Sequence, residues 1–141
     1  MIAYFDTSAL VPLVVAEPTT AMCSRLWAES TRVTSIRLIY PEARAALARA
    51  QRMGRLTASQ LDGAVAELDS IVDEVDVIEL SAEIARSAGH LAQQFGLRGY
   101  DAVHLAAALV VADDDLVLVT GDLELGSAAN LAGLAVSIAR L

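Results

Sequence analysis

Short apolar runs alternate with segments of helical periodicity along the whole chain. The apolar runs predict strands, and the clearest of them span Ile2–Phe5 and Leu116–Val119. Weaker strand candidates are Arg32–Thr34, Val75–Ile78 and Ala135–Ile138. Because the clearest runs lack polar alternation, both faces of the predicted sheet are expected to be covered, which is typical of a parallel sheet.

Between the strands, apolar residues recur at the spacing of one helix face. Leu61–Val72 carries apolar residues four, three and four positions apart, behind a capping box formed by Thr57 and Gln60. Ile84–Phe95 repeats this spacing behind Ser81, a suitable N-cap residue. Both segments therefore predict helices with one buried face.

Two further helices are predicted from proline, glycine and alanine positions. Pro41 fits the first turn of a helix that Gly54 ends, whereas a helix beginning near Ser35 would be kinked at Pro41. The segment from Tyr100 to about Ala112 is apolar almost all round, which predicts a buried helix. The alternation predicts one α/β domain over residues 1–141, a three-layer α/β/α sandwich with a central parallel sheet of about four to five strands.

Composition narrows the possible chemistry. All ten basic residues are Arg, and the absence of Lys excludes the phosphate-binding P-loop and Schiff-base catalysis. A single cysteine, Cys23, cannot form an internal disulfide, which fits a reducing compartment. No apolar run reaches the roughly 18 residues of a membrane span, and Met1–Leu10 lacks the basic start of a secretory signal. We therefore expect a cytoplasmic protein that is not inserted in a membrane.

The negative charge is concentrated in one segment. Leu56–Ala85 contains eight acids and no base, which equals the net charge of the whole chain, -8. A basic run lies beside it and includes Arg44 and Arg49. A solvated surface is the ordinary explanation of both segments. Contact of Arg44 and Arg49 with phosphate is the alternative.

Four acids stand at positions that favour a ligand site. Asp6 and Asp122 lie at or just beyond the ends of predicted strands, where ligands gather in parallel sheets. Asp101 begins the apolar helix, and Glu42 stands among apolar residues. Each has an ordinary explanation as a cap, a turn residue or an ion-pair partner. Together, in a chain without Lys, they favour a hard divalent cation such as Mg²⁺ or Mn²⁺.

Other polar residues accompany these acids. Thr7 and Ser8 follow Asp6, and Thr120 precedes Asp122, so their hydroxyls are placed to orient metal-binding carboxylates. Caps and turns are the commoner role of such residues. His104 lies one helical turn from Asp101; packing within the apolar helix is the favoured interpretation, and a hydrogen bond to Asp101 is the alternative.

At this point the sequence resembles the PIN-domain nucleases. The motifs that carry the resemblance are Phe5-Asp6-Thr7-Ser8-Ala9-Leu10, Glu42 in a helix, Tyr100-Asp101-Ala102-Val103-His104-Leu105-Ala106 and Val119-Thr120-Gly121-Asp122. They occur in the family's order and span essentially the whole chain. The length is similar to that of the VapC-type toxins of bacterial toxin–antitoxin modules.

The resemblance implies a PIN-like fold and a Mg²⁺- or Mn²⁺-dependent endoribonuclease. Asp6, Glu42, Asp101 and Asp122 would be both its catalytic residues and its metal ligands. It also implies a homodimer neutralised by a cognate VapB-type antitoxin. With these acids and Leu56–Ala85 set aside, ten Arg face six acids, so approach of RNA is feasible.

Three other classes compete with this interpretation. Haloacid-dehalogenase-like phosphatases need a second Asp two residues after the first, where this chain has Ser8. Response-regulator receivers need a Lys, which the chain lacks. The remaining alternative is a catalytically inactive PIN-like module that binds RNA or a protein without cleaving.

Overall fold

A five-stranded parallel sheet forms the centre of the protein, as shown by a computed structural model that describes all 141 residues. The strands are β1 (Ile2–Phe5), β2 (Arg32–Ile36), β3 (Asp76–Ile78), β4 (Leu116–Thr120) and β5 (Ala135–Ile138). Their order in the sheet is β3-β2-β1-β4-β5. All five predicted strands are thus confirmed, with small differences at their ends.

Seven α-helices and one short 3₁₀ turn, Val11–Leu13, accompany the sheet. The helices are α1 (Thr7–Leu10), α2 (Thr20–Glu29), α3 (Ile39–Arg52), α4 (Ala58–Asp73), α5 (Ala82–Phe95), α6 (Gly99–Val110) and α7 (Leu123–Leu131). The capping box of α4 and the Ser81 cap of α5 form as predicted. None of the helices combines the length and the apolar character that crossing a bilayer requires.

Two hydrophobic cores, one on each face of the sheet, give the three-layer sandwich that the sequence predicts. One core packs α5, α6 and α7 against Tyr4 and Leu118. The other packs α1 to α4 against Ala3, Phe5 and Val119. Within β1 and within β4, successive residues therefore point to opposite faces of the sheet, and helices cover both faces.

The structure settles one alternative and adds α1, α2 and α7 to the four helices that periodicity and caps predict. Helix α3 begins at Ile39, so Pro41 lies in its first turn, where a missing N–H leaves no hydrogen bond unmade. Helix α1 is a single turn, too short to show periodicity in the sequence. Helix α7 was also not predicted, because its apolar residues do not form one clear stripe and Gly126 interrupts it.

Candidate active site

Strand β1 lies in the middle of the sheet, between β2 and β4. Its last residue, Phe5, is in register with Val119 of β4. From β1 the chain adds β2 and β3 on one side of the sheet, and then β4 and β5 on the other side. Such a topological switch point, here between β1 and β4, leaves a crevice beyond the carboxyl ends of the two strands. The two residues that follow, Asp6 after β1 and Thr120 at the end of β4, therefore lie side by side at this edge.

Asp6 is buried and held by several donors. Thr120 Oγ1 donates to its Oδ2 at 2.6 Å, while Ser8 Oγ and the Ala9 amide donate to Oδ1 at 2.7 and 3.1 Å. Burial nevertheless raises the pKa of Asp6 above its ordinary value, because removal from water penalises the carboxylate more than these donors stabilise it. A cation close to this carboxylate would offset that penalty.

Glu42 lies in the first turn of α3 and is oriented from two sides. Thr7 Oγ1 donates to Glu42 Oε1 at 2.8 Å. His104 Nε2 lies 2.6 Å from the same oxygen. A carboxylate only accepts hydrogen bonds, so Nε2 carries the proton that is donated to Glu42. Arg37, five residues before Glu42 in the sequence, pairs with Glu79 and not with Glu42.

The buried hydroxyl of Tyr4 contacts the ring nitrogen of His104 that does not face Glu42. Tyr4 OH lies 2.8 Å from His104 Nδ1, and both side chains are essentially inaccessible to solvent. Burial raises the pKa of Tyr4 well above its ordinary value, so the hydroxyl keeps its proton and can donate it to His104 Nδ1. His104 is thus buried in α6, as favoured from the sequence, and it bonds to Glu42 instead of Asp101.

Asp101 and Asp122 share one arginine. Arg98 Nε donates to Asp101 Oδ2 at 3.0 Å, and Arg98 Nη2 donates to Asp122 Oδ2 at 3.3 Å. Burial raises the pKa of Asp101, and the bond from Arg98 partly counteracts that shift. Asp122 also caps α7, since its Oδ1 accepts from the amides of Glu124 and Leu125.

All four predicted carboxylates line one open cleft of about 680 Å³. Arg98 is the only arginine among its lining residues. Arg44 and Arg49, the predicted substrate contacts, do not line it; Arg44 lies at a neighbouring depression and donates to Tyr40 OH. The predicted hydroxyl residues Thr7 and Ser8 do line the cleft.

The donor chemistry of the cleft fits Mg²⁺ or Mn²⁺, because it consists of carboxylate and hydroxyl oxygens. In the present side-chain arrangement, however, no three acidic or histidine residues are grouped closely enough to hold one ion. Glu42 is bonded to Thr7 and His104, and the other two acids of the cleft mouth are paired with Arg98. The chemistry of these side chains thus fits a divalent cation. In the present arrangement, their oxygens instead accept hydrogen bonds from Thr7 and His104 and form two ion pairs with Arg98.

The sequence analysis missed two residues, Arg98 and Tyr4, and the contact of His104 with Glu42. Arg98 precedes Asp101 by three residues, a spacing that joins side chains at a helix start and could have indicated the pair. His104 shares a helix face with Asp101, but nothing in the sequence indicates that this face meets Glu42. Tyr4 reads as an ordinary residue of a buried strand, so its bond to His104 leaves no signal in the sequence.

The fold and the cleft define a class of protein, a parallel α/β domain with an acidic site at the switch point of its sheet. The sequence profile of the PIN domain matches residues 3–131. The chain is also 43% identical, over 140 residues, to Ribonuclease VapC45 of Mycobacterium tuberculosis (strain CDC 1551 / Oshkosh). That match covers 99% of this chain and 97% of the relative. The chain therefore belongs to the PIN-domain family, within its VapC group.

Solved structures agree with this assignment at the level of the fold. PAE2754 from Pyrobaculum aerophilum superposes with a TM-score of 0.72 at 25% identity, covering 96% of this chain and 83% of that one. The toxin–antitoxin complex from Klebsiella pneumoniae gives a TM-score of 0.65 at 20% identity, with 98% of both chains covered.

Proposed function

We propose that this chain is a toxin endoribonuclease that depends on Mg²⁺ or Mn²⁺ and acts as one catalytic domain. The observation that carries the proposal is the convergence of Asp6, Glu42, Asp101 and Asp122 on one cleft. These acids come from four separate parts of the chain, so their meeting is a product of the fold. Membership of the VapC group, whose relative is called a ribonuclease, supports RNA as the substrate.

The chain's own residues would hold and orient the catalytic groups. Ser8 and Thr120 fix both oxygens of Asp6, and Thr7 and His104 fix one oxygen of Glu42. When bound, a divalent cation supplies Lewis-acid activation of water and of the phosphate. The carboxylates would hold that cation, and Glu42, with one oxygen free of the bonds described, is placed to accept a proton from the attacking water.

RNA would approach a cleft that is separate from the most acidic part of the surface. The acidic segment forms α4, β3 and the start of α5. The cleft is instead built from the starts of α1, α3, α6 and α7. Arg44 and Arg49 are exposed on α3, and we keep them as proposed contacts for RNA that extends beyond the cleft.

We also propose a homodimer that a VapB-type antitoxin neutralises. The Klebsiella relative, described as a toxin–antitoxin complex, supports the antitoxin. Leu123 and Leu131 of α7 are 53% and 76% exposed and line one depression together with Phe95, and this shared apolar surface supports a protein interface. Cys23 is free and buried, which supports our placement of the protein in the cytoplasm.

The decisive experiment is cleavage of a structured RNA pool by the antitoxin-free chain in Mg²⁺ or Mn²⁺. We expect EDTA to abolish cleavage, and Asp6→Asn and Asp101→Asn each to reduce its rate at least about 100-fold, because each loses a charged metal ligand. Asp114→Asn is the matched control: it makes the same change at an exposed loop residue before β4, outside the cleft.

Two outcomes would contradict the proposal. Near wild-type cleavage by Asp6→Asn or Asp101→Asn would exclude the carboxylate site. No cleavage in any metal by the folded chain, together with no binding of Mn²⁺, would favour the alternative of a PIN-like binding module. Circular dichroism of each variant establishes that the fold is intact.

A further inference from the structure

Arg98 holds an unusual position at the mouth of the cleft. It is the residue just before α6, and its guanidinium bridges two carboxylates that are 21 positions apart in the chain, Asp101 and Asp122. The same guanidinium lies over the ring of Tyr100, 4.7 Å from its centroid. The Arg98 side chain remains 62% exposed in this arrangement, so it is free to move without opening the core.

The side chains that line the cleft carry more negative than positive charge. Five acids line the cleft, and Arg98 is the only arginine that does so. One of the five, Glu17, is paired with Arg55 outside the cleft lining. A single guanidinium therefore faces the remaining four acids, all of them proposed metal ligands, and it bonds to two of them, Asp101 and Asp122.

We propose that Arg98 exchanges partners during the reaction: it is the internal counter-ion of Asp101 and Asp122 without metal, and a phosphate ligand once a divalent cation has displaced it. The inference rests on the proposed function and deepens it. A guanidinium and a divalent cation would compete for the same carboxylate oxygens, because both need them as close neighbours. The pairing with Arg98 also accounts for the absence of a ready-made group of metal ligands in the present arrangement.

The displaced guanidinium is suited to the second role. Arg presents a planar fork of N–H donors that matches two oxygens of a phosphate. Contact with the Tyr100 ring, which is 43% exposed, would keep the guanidinium at the cleft mouth after it leaves the carboxylates. One residue would thereby link occupation of the metal site to binding of the RNA backbone.

The test is Arg98→Gln, which removes the charge and keeps a polar side chain. We expect Mn²⁺ to bind the full-length variant roughly three- to tenfold more tightly by isothermal titration calorimetry, since the competing ion pairs are gone. At saturating Mn²⁺ we expect the KM for RNA to rise about fivefold or more, with a smaller change in kcat, because a phosphate contact is lost.

Arg32→Gln is the matched control, because Arg32 pairs with Asp76 on the surface away from the cleft. It changes the net charge equally and should leave both quantities near their wild-type values. Opposite shifts in Mn²⁺ affinity and in the KM for RNA are not expected from a merely structural role of Arg98.

The outcomes separate this proposal from the proposed function. Equal Mn²⁺ affinity in the wild type and Arg98→Gln would overturn the exchange and leave the metal-dependent nuclease standing. An unchanged KM for RNA would overturn the role of Arg98 in phosphate binding. No calorimetric binding of Mn²⁺ to any variant would overturn the metal site itself, and with it both proposals.

Discussion

At the scale of single residues, Glu42 depends on a line of buried side chains. Tyr4 OH contacts His104 Nδ1, and His104 Nε2 contacts Glu42 Oε1. Partners of this kind fix the rotamer of a carboxylate and the proton positions around it. Because Tyr4 and His104 are buried, loss of either partner would leave a polar atom without water to replace it.

A pair of substitutions at His104 separates orientation from packing. His104→Leu should lower the cleavage rate about 10- to 100-fold, since it removes the donor to Glu42. It should also cost about 1–3 kcal/mol of unfolding free energy, since the Tyr4 hydroxyl loses its partner. His104→Gln places an amide N–H at similar reach and should retain more activity. Initial rates and urea unfolding measure both effects; wild-type cleavage by His104→Leu would contradict the role of this side chain.

At the scale of secondary-structure elements, all four acids of the proposed site lie at the N-termini of helices. Asp6 caps α1, Glu42 lies in the first turn of α3, Asp101 lies in the first turn of α6, and Asp122 caps α7. A helix N-terminus favours negative charge, so acids needed for chemistry are also compatible with local structure there. For Asp6 and Asp122 the structural explanation as caps is confirmed, and it is compatible with the proposed role of both acids in metal binding.

The capping role of Asp122 and its proposed role in cleavage can be measured separately. Asp122→Asn keeps a side-chain oxygen for the amides of Glu124 and Leu125, whereas Asp122→Ala removes the cap. In EDTA, we expect the Ala variant to lose about 1 kcal/mol of unfolding free energy in urea, and the Asn variant to stay near the wild type. Both should lose cleavage in Mg²⁺. An Ala variant as stable as the wild type would show that the Asp122 side chain does not stabilise α7.

At the scale of the whole molecule, buried negative charge is concentrated at the carboxyl ends of the central strands. Burial raises the pKa of both Asp6 and Asp101, so each carboxylate is costly to keep ionised in the folded chain. The rest of the chain contains no Lys that could neutralise them, and Arg98 reaches only the cleft mouth. The folded state should therefore be stabilised by a cation that binds at this edge.

Mn²⁺ should raise the melting temperature of the wild type. A ligand at 100 times its Kd stabilises a fold by about 2.7 kcal/mol, which corresponds to a shift of several degrees in a chain of this size. Differential scanning calorimetry with millimolar Mn²⁺ measures it, with EDTA as the reversal. Asp6→Asn should show a smaller shift and Asp114→Asn an unchanged one. No shift in the wild type would argue against the metal site.

Most of the secondary structure of this protein is determined by the local sequence. Periodicity and caps predicted the five strands and four of the helices, because burial of one face and satisfaction of helix ends are encoded in neighbouring residues. The acidic residues could also be selected from the sequence, since they follow strands or begin helices. Which acids line the cleft together is a consequence of strand order, and the resemblance to a known family anticipated it where periodicity could not.

The contacts that control those acids were decided only in the tertiary structure. The bond between His104 and Glu42 joins residues 62 positions apart, and the bond between Thr120 and Asp6 joins residues 114 positions apart. The bridge from Arg98 to Asp122 likewise exists only because α6 and α7 start at the same cleft. Local sequence sets the type of each element and the chemistry of each side chain. Packing of the sheet and helices decides which side chains meet, and therefore which proton, cation or phosphate each one can hold.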